Sequence, residues 1–258
     1  MLAILQAHSL EFYIFAAVAL TLTGISKSGF SGGVGAITVA IIAIYVSPLK
    51  AAAIMLPILC VMDCLGLWAY RKIWDKKNLL ITLPAAGIGI LIGTATFSYV
   101  DENSVRLLLG AITLVFSLNF FFKTSNTGAP KKPNWIIGVL AGVISGFTSF
   151  VAHAGGPPIK FYLLPQKMDK TLFVGTSIVF FFVVNLIKLF PYALLGQFSI
   201  ENLVVSAALL PLAPLGIWIG LKLHGIVSQE LFYWISYVMM MAAGCKLTWD
   251  GLTKGGYI

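Results

Sequence analysis

The chain alternates long apolar stretches with short polar segments. Six stretches reach the length of about 20 residues that crosses ~30 Å of hydrocarbon. They cover residues 51–70, 79–100, 105–122, 171–195, 203–223 and 231–249. Two others, 9–23 and 135–150, are barely long enough, and 34–46 and 157–165 are too short. The pattern predicts an all-α polytopic membrane protein with eight to ten membrane segments.

The composition excludes a soluble globular protein. Only 10% of the 258 residues are charged and 59% are hydrophobic, whereas soluble domains have about 25% charged residues. The net charge of +8 is concentrated in a few loops, which in a membrane protein indicates orientation rather than nucleic-acid binding. No Lys or Arg precedes the first apolar stretch, so it lacks the form of a signal peptide.

The three cysteines do not indicate a metal site. Cys60 and Cys64 share a helical face and Cys245 is distant in sequence, but no neighbouring His or further Cys completes a ligand set. We expect ordinary apolar packing for them, and the sequence indicates no cofactor.

A polar linker, residues 123–133 ("KTSNTGAPKKP"), separates two similar halves, 1–122 and 134–258. In each half a marginal apolar run leads to two adjacent glycines, then to a short apolar piece and a helix opened by a lysine. These elements recur at an offset of roughly 120 to 127 residues, as expected of an internal repeat. We predict that each repeat is a broken or re-entrant glycine-rich helix pair followed by three long transmembrane helices.

Loop charges predict that the two repeats are inverted within one integrated membrane domain. Residues 71–78 ("RKIWDKKN") are basic, but the matching residues 191–202 have no Lys or Arg. Residues 98–104 ("SYVDENS") are acidic, whereas the matching residues 222–229 contain Lys222 and His224. Because basic loops stay in the cytoplasm, the linker should be cytoplasmic and both termini outside. Inverted repeats are typical of secondary transporters.

The glycine clusters are the candidate substrate site. Irregular backbone inside a membrane is tolerated only in the protein interior or beside a wet cavity. A helix that begins near Ser31, and another with Pro157 in its first turn, would direct free amides at an anion. The predicted site residues are Ser26, Lys27, Gly29, Ser31, Gly32, Gly33, His153, Gly155, Gly156, Pro157 and Lys160.

Each of these polar and glycine residues also has a plain structural interpretation. Lys27 and Lys160 would reach the membrane interface instead of the site, and the glycines would only pack helices together. Both interpretations stay open from the sequence.

Asp63, His153 and Asn185 are the candidates for ion coupling. A carboxylate in the middle of an apolar helix serves either a proton relay or a salt bridge to a lysine, and histidine titrates near neutral pH. Lys188, three residues after Asn185, would either line the same cavity or reach the outer surface.

The motifs "GISKSGFSGGVGA" and "GFTSFVAHAGGPPIKFYLLP" resemble those of the sulfite exporter TauE/SafE family, and the resemblance extends over residues 21–246. It implies a carrier of the cell inner membrane for sulfite, an organosulfonate or a related small anion. It places at the family's motif Ser26, Gly29, Gly32, Gly33, His153, Gly155, Gly156 and Pro157. The exact anion, the direction of transport, a coupling proton or other ion, and a homo-oligomeric state stay open.

Two other functions compete with a carrier. A passive anion channel needs the same pore chemistry. An intramembrane serine hydrolase would use Ser31, in "GFSGG", with His153 as its base. Because hydrolysis leaves the duplicated architecture unexplained, we expect a transporter and not an enzyme.

Overall fold

A computed structural model describes residues 2–6, 8–32, 35–97, 99, 101–122 and 130–255. Over these residues the fold is α-helical, with one 3-10 turn at Leu164–Gln166. The helices are α1 (Leu2–Gln6), α2 (Leu10–Phe30), α3 (Gly35–Ile42), α4 (Pro48–Ala69), α5 (Lys76–Ala95), α6 (Glu102–Phe122), α7 (Trp135–Ala152), α8 (Gly156–Leu163), α9 (Lys170–Leu194), α10 (Ile200–Leu209), α11 (Leu212–Ile226) and α12 (Gln229–Lys254).

Most long helices begin at a small polar residue placed just before an apolar run. Its side-chain oxygen accepts a hydrogen bond from an amide of the first turn, which satisfies a group that the helix itself leaves without a partner. The residues that cap helices in this way are Ser9, Ser47, Asp75, Asn134, Asp169, Ser199 and Ser228.

The number of membrane spans is lower than predicted. Among the described residues six helices are long and apolar enough to cross a membrane, and seven if the bent pair α10–α11 counts as one span. The prediction of eight to ten segments was therefore too high. Helices α3 and α8 have only eight residues each, and α6 contributes a shorter apolar stretch, Asn103–Leu118.

The short helices α3 and α8 fold back along the helices that precede them. Thr38 of α3 donates a hydrogen bond to the Ala19 carbonyl of α2 at 3.1 Å. In the second half, Lys131 N donates to Pro165 O at 3.0 Å, which joins the segment before α7 to the segment after α8. We call α2–α3 hairpin 1 and α7–α8 hairpin 2.

Each hairpin packs against a helix of the other half through glycine. A side chain on Gly216 of α11 would collide with Thr21 O of α2, and one on Gly89 of α5 would collide with Val143 O of α7. Thr21 and Val143 lie 122 positions apart, and Gly89 and Gly216 lie 127 apart. The two packing contacts therefore use corresponding positions of the two halves.

Helices α6 and α12 pack in the same reciprocal way. Gly110 of α6 faces Thr248 of α12, and Gly244 of α12 faces Leu114 of α6. Both Gly110 and Gly244, and Leu114 and Thr248, are separated by 134 positions. Helices α4 and α9 contact each other. Large apolar side chains such as Trp68 of α4 and Leu91 of α5 are exposed, as a lipid-facing surface requires.

Candidate functional site

A small polar cavity lies where the tips of the two hairpins meet. Helix α2 ends at Ser31 (φ 65°) and α7 ends at His153 (φ 50°), 122 positions later. Left-handed backbone is uncommon for residues other than glycine. The cavity holds about 50 Å³, room for water molecules or a small ion. It is lined by Thr23, Lys27, Gly32, Gly35, Leu59, Ser149, His153, Gly156, Phe181 and Asn185.

The prediction that a helix begins near Ser31 was wrong, because α2 ends there. The amides of Ser31 and Gly32 both donate to Ser26 O, the latter at 2.8 Å. They close the C-terminus of α2, as left-handed caps do. Helix α3 then begins at Gly35, and Gly33, another predicted site residue, lies outside the described residues.

The second break has the predicted form. Gly155 precedes α8, Gly156 begins it and Pro157 stands in its first turn, where the missing N–H of proline has no consequence. Gly156 and Gly35 both line the cavity. First-turn amides have no partner within their own helix, so the two short helices can present such donors to a bound molecule.

Asp63 forms a buried ion pair beside the cavity. Its Oδ1 lies 2.7 Å from Lys27 Nζ, and its Oδ2 accepts a hydrogen bond from Asn185 Nδ2 at 2.7 Å. Asp63 is 0% exposed and Lys27 is buried. The interpretation of Asp63 as a salt-bridge partner of a lysine is confirmed, and Lys27 does not reach the membrane interface.

Lys188 is a second cation inside the protein. It is 0% exposed and donates to Ser149 O at 2.7 Å, so the alternative that it reaches the outer surface is wrong. Its Nζ also lies 3.3 Å from His153 Nδ1, and His153 Nε2 lies 3.2 Å from the Tyr192 hydroxyl. Because ammonium only donates, Nδ1 accepts and Nε2–H donates to Tyr192, whose own hydroxyl donates to Phe150 O. Both nitrogens of His153 are thus engaged.

Lys160 connects the two hairpins. Its side chain is buried, and Nζ donates to Phe30 O at 3.2 Å and to Gly32 O at 2.5 Å. It therefore does not reach the membrane interface. Instead a lysine from hairpin 2 occupies the negative, C-terminal end of the first helix of hairpin 1, a favourable position for a cation.

Two serine hydroxyls of the predicted site have no partner among the described residues. The Oγ atoms of Ser26 and Ser31 are both buried. Buried hydroxyls in native proteins are almost always hydrogen-bonded to protein or water. These two are therefore candidate donors to a bound molecule.

Two predicted residues face away from the cavity. Gly29 packs against α11, because a Cβ there would lie 3.0 Å from Gly220 O, and its carbonyl contacts His224 Nδ1 at 3.0 Å. Pro157 lines a separate apolar crevice of about 280 Å³ bounded by α6, α7, α8 and α12. At Gly29 the structure thus has the glycine-packing arrangement.

The cavity also includes residues outside the predicted set of site residues. Thr23, Gly35, Leu59, Ser149 and Phe181 line it. The sequence signal that points to further residues is the offset of 122 positions between corresponding residues of the two halves. Tyr70 and Tyr192, 122 positions apart, donate to Ser28 O and Phe150 O, which are also 122 apart.

The geometry contains neither a serine–histidine dyad nor a metal cluster in the described part of the chain. Ser31 Oγ has no hydrogen bond to His153, and both imidazole nitrogens have other partners. A nucleophilic serine needs its base within hydrogen-bond reach. Within the same residues no three His, Cys, Asp or Glu side chains come together.

Apolar spans around a small cavity lined in part by Lys27 and His153 define a multi-pass membrane protein. The sequence matches the family described as Sulfite exporter TauE/SafE over residues 16–247, and the chain belongs to that family. Its members are membrane transporters of anions such as sulfite and not enzymes. No curated protein and no solved structure gives a significant match.

Proposed function

We propose that the protein is a secondary transporter that moves sulfite or an organosulfonate across the cytoplasmic membrane by alternating access. The observation that supports this most is the meeting of the two hairpin tips at one buried polar cavity flanked by cations. Secondary transporters bind substrate where broken helices of two repeats meet near the bilayer midplane.

The two halves, 1–122 and 134–258, are in this proposal inverted repeats joined by the cytoplasmic linker 123–133. The support is the reciprocal packing of glycines at matching positions, 122 to 134 residues apart, because corresponding positions exchange contacts around a two-fold axis. A hairpin that returns to its own side plus three further crossings gives each half an odd number of crossings. Two such halves in series have opposite orientations. The basic loop at 71–77, which has no basic counterpart, agrees with this and puts both termini outside.

The anion in this proposal is held by donors from both hairpins. The amides of Gly35 and Gly156, two residues that line the cavity, would bind its oxygens. The hydroxyls of Ser26 and Ser31, which have no partner among the described residues, would add donors. Lys27, which lines the cavity, would donate to the anion when Asp63 is neutralised, and Lys160 lies behind Gly32. His153, with Gly155 and Gly156 on the opposite side, completes the binding surface.

Coupling would depend on Asp63 and its partners. An anion that approaches Lys27 competes with Asp63 for the same ammonium, so a proton or another cation that neutralises Asp63 would favour binding. Asn185 keeps the carboxylate in place by its hydrogen bond. His153 would take a proton only at Nδ1, where Lys188 already donates, so it would serve in coupling only when that contact opens. Rocking of the repeats about the contact between α4 and α9 would then expose the cavity alternately.

Reconstituted protein tests the proposal. Purified wild-type chain in liposomes should take up radiolabelled sulfite with saturation, and unlabelled sulfite trapped inside should accelerate that uptake by exchange. Organosulfonates and sulfate added outside rank the substrates by competition. Lys27→Ala and His153→Ala should each reduce the uptake several-fold. Uptake without exchange, together with unitary currents, would indicate the channel alternative instead.

A further inference from the structure

Three buried lysines surround the cavity, but they differ in their counter-charges. Lys27 has the carboxylate of Asp63 at 2.7 Å. Lys160 donates to the carbonyls of Phe30 and Gly32. Lys188 donates to the Ser149 carbonyl, and its Nζ contacts the Ser149 hydroxyl at 3.3 Å and His153 Nδ1 at 3.3 Å. Among the described residues neither of the last two has a carboxylate within salt-bridge distance.

The charges of the site therefore do not cancel. Lys27 and Asp63 form a neutral pair. The C-terminal ends of α2 and α7 each carry only about half a negative charge, which faces Lys160 and Lys188 respectively. A cation buried in a membrane protein usually has a partner or a function. The remainder is a net positive charge that a bound anion would neutralise.

Lys188 is the better placed of the two remaining cations. Its contacts include the side chains of Ser149 and His153, both of which line the cavity. Lys160 donates to backbone carbonyls, those of Phe30 and Gly32, and of these two residues Gly32 lines the cavity. The structure therefore distinguishes Lys27, whose charge is neutralised by Asp63, from Lys188, whose charge acts on the cavity.

We propose, on the basis of the proposed anion transport, that Lys188 supplies the positive charge that holds the substrate anion, while the charge of Lys27 is neutralised by Asp63. Lys188 acts through Ser149 and His153 and does not contact the anion, so it is a positioning residue. In the weakly polar interior one charge a few ångströms away changes anion affinity by roughly tenfold to a hundredfold.

Sulfite titration of the purified full-length protein in detergent, measured by calorimetry, tests this. Lys188→Met should weaken sulfite binding at least tenfold, and Lys188→Arg should restore most of it because the charge returns. The double variant Lys27→Met with Asp63→Asn removes a neutral pair, so it should bind sulfite more tightly than Lys188→Met does. Asp63→Asn, whose amide oxygen can still accept from Lys27, should be less destabilised than Asp63→Ala, and it should tighten sulfite binding because the charge of Lys27 is no longer neutralised. Lys188→Gln keeps a donor to Ser149 O without the charge and gives the readout on Lys188 if Lys188→Met does not fold.

The outcomes distinguish this inference from the proposed function. Equal sulfite binding by wild type and Lys188→Met would overturn the role of Lys188 and leave anion transport intact. The role of Lys188 would also be overturned if Lys160→Met lost sulfite binding and Lys188→Met did not. A weaker sulfite binding by Asp63→Asn would overturn it as well. No binding of sulfite or organosulfonates by the wild type would overturn the anion function and this inference with it.

Discussion

Asp63 and Asn185 lie 122 positions apart and are hydrogen-bonded to each other, with Asn185 Nδ2 2.7 Å from Asp63 Oδ2. The same separation relates Ser31 to His153 and Tyr70 to Tyr192. Around a two-fold axis, only residues near the axis contact their own counterparts. The proposed axis therefore passes between a carboxylate and an amide, and the single carboxylate at this centre binds Lys27.

We predict that Asp63→Ala destabilises the fold strongly. It leaves Lys27 buried without a counter-charge, and breaking a buried ion pair from one side costs about 3–5 kcal/mol. Thermal unfolding of the protein in detergent, followed by tryptophan fluorescence, measures the loss. Asn185→Ala, which removes only a hydrogen bond, is the control and should cost less. Equal losses for the two variants would contradict the ion-pair assignment.

The reciprocal glycine contacts predict matched effects in the two halves. A Cβ at Gly89 would lie 2.0 Å from Val143 O and one at Gly216 2.8 Å from Thr21 O. Overpacking of this kind costs about 1–3 kcal/mol, so Gly89→Ala and Gly216→Ala should both lower the unfolding temperature. Gly87→Ala is the control on the same helix as Gly89, because a Cβ there meets nothing within 4 Å. A loss of stability with Gly87→Ala as large as with Gly89→Ala would count against the packing.

The two unpartnered hydroxyls predict a separation of stability from binding. Ser26→Ala and Ser31→Ala remove groups that have no partner among the described residues, so neither should lower the free energy of unfolding. Each should weaken anion binding about two- to tenfold, the value of one hydrogen bond. Ser28→Ala should instead lower the free energy of unfolding and leave anion binding unchanged. Ser28 Oγ lies 2.9 Å from both Gly24 O and Ile217 O, and its single proton is donated to these carbonyls. Wild-type affinity in both Ser26→Ala and Ser31→Ala would remove these hydroxyls from the site.

The inverted arrangement predicts opposite accessibility of two corresponding loops. After Cys60, Cys64 and Cys245 have been replaced, a thiol reagent that does not cross membranes should label Leu195→Cys from outside. It should label Lys77→Cys only from the cytoplasmic side, since Lys77 is exposed in the first turn of α5, just after the loop that follows α4, and Leu195 is exposed just after α9. Labelling of both from one side would show that the halves are parallel.

The sequence was sufficient for the features that follow from composition and local pattern. Apolar length located the spans, and small polar residues such as Ser47 and Asp169 marked the starts of helices. Proline is a common cause of helix kinks, and Pro211 stands at the 43° bend between α10 and α11. The apolar pattern predicted eight to ten membrane segments because that count included α6 and the short pieces 34–46 and 157–165, whereas six or seven helices among the described residues have the length and apolarity of a span.

The detail of the site depends on contacts that a linear pattern does not contain. The glycines suggested a helix start at Ser31, but the helix ends there, because Ser31 and His153 themselves take the left-handed conformation. Whether Lys160 and Lys188 lie inside or reach a surface is decided by carbonyls more than 35 positions away. The Asp63–Asn185 pair was within reach of the sequence, because the two residues share the repeat offset.

Anomalous diffraction from crystals soaked in selenite, which has the shape and charge of sulfite, tests most directly whether the hairpin tips hold the anion. We predict a selenium peak in the cavity between Ser31 and His153, displaced by an excess of sulfite. Ordered selenium at the protein surface with an empty cavity, in protein that transports sulfite, would contradict this location of the site.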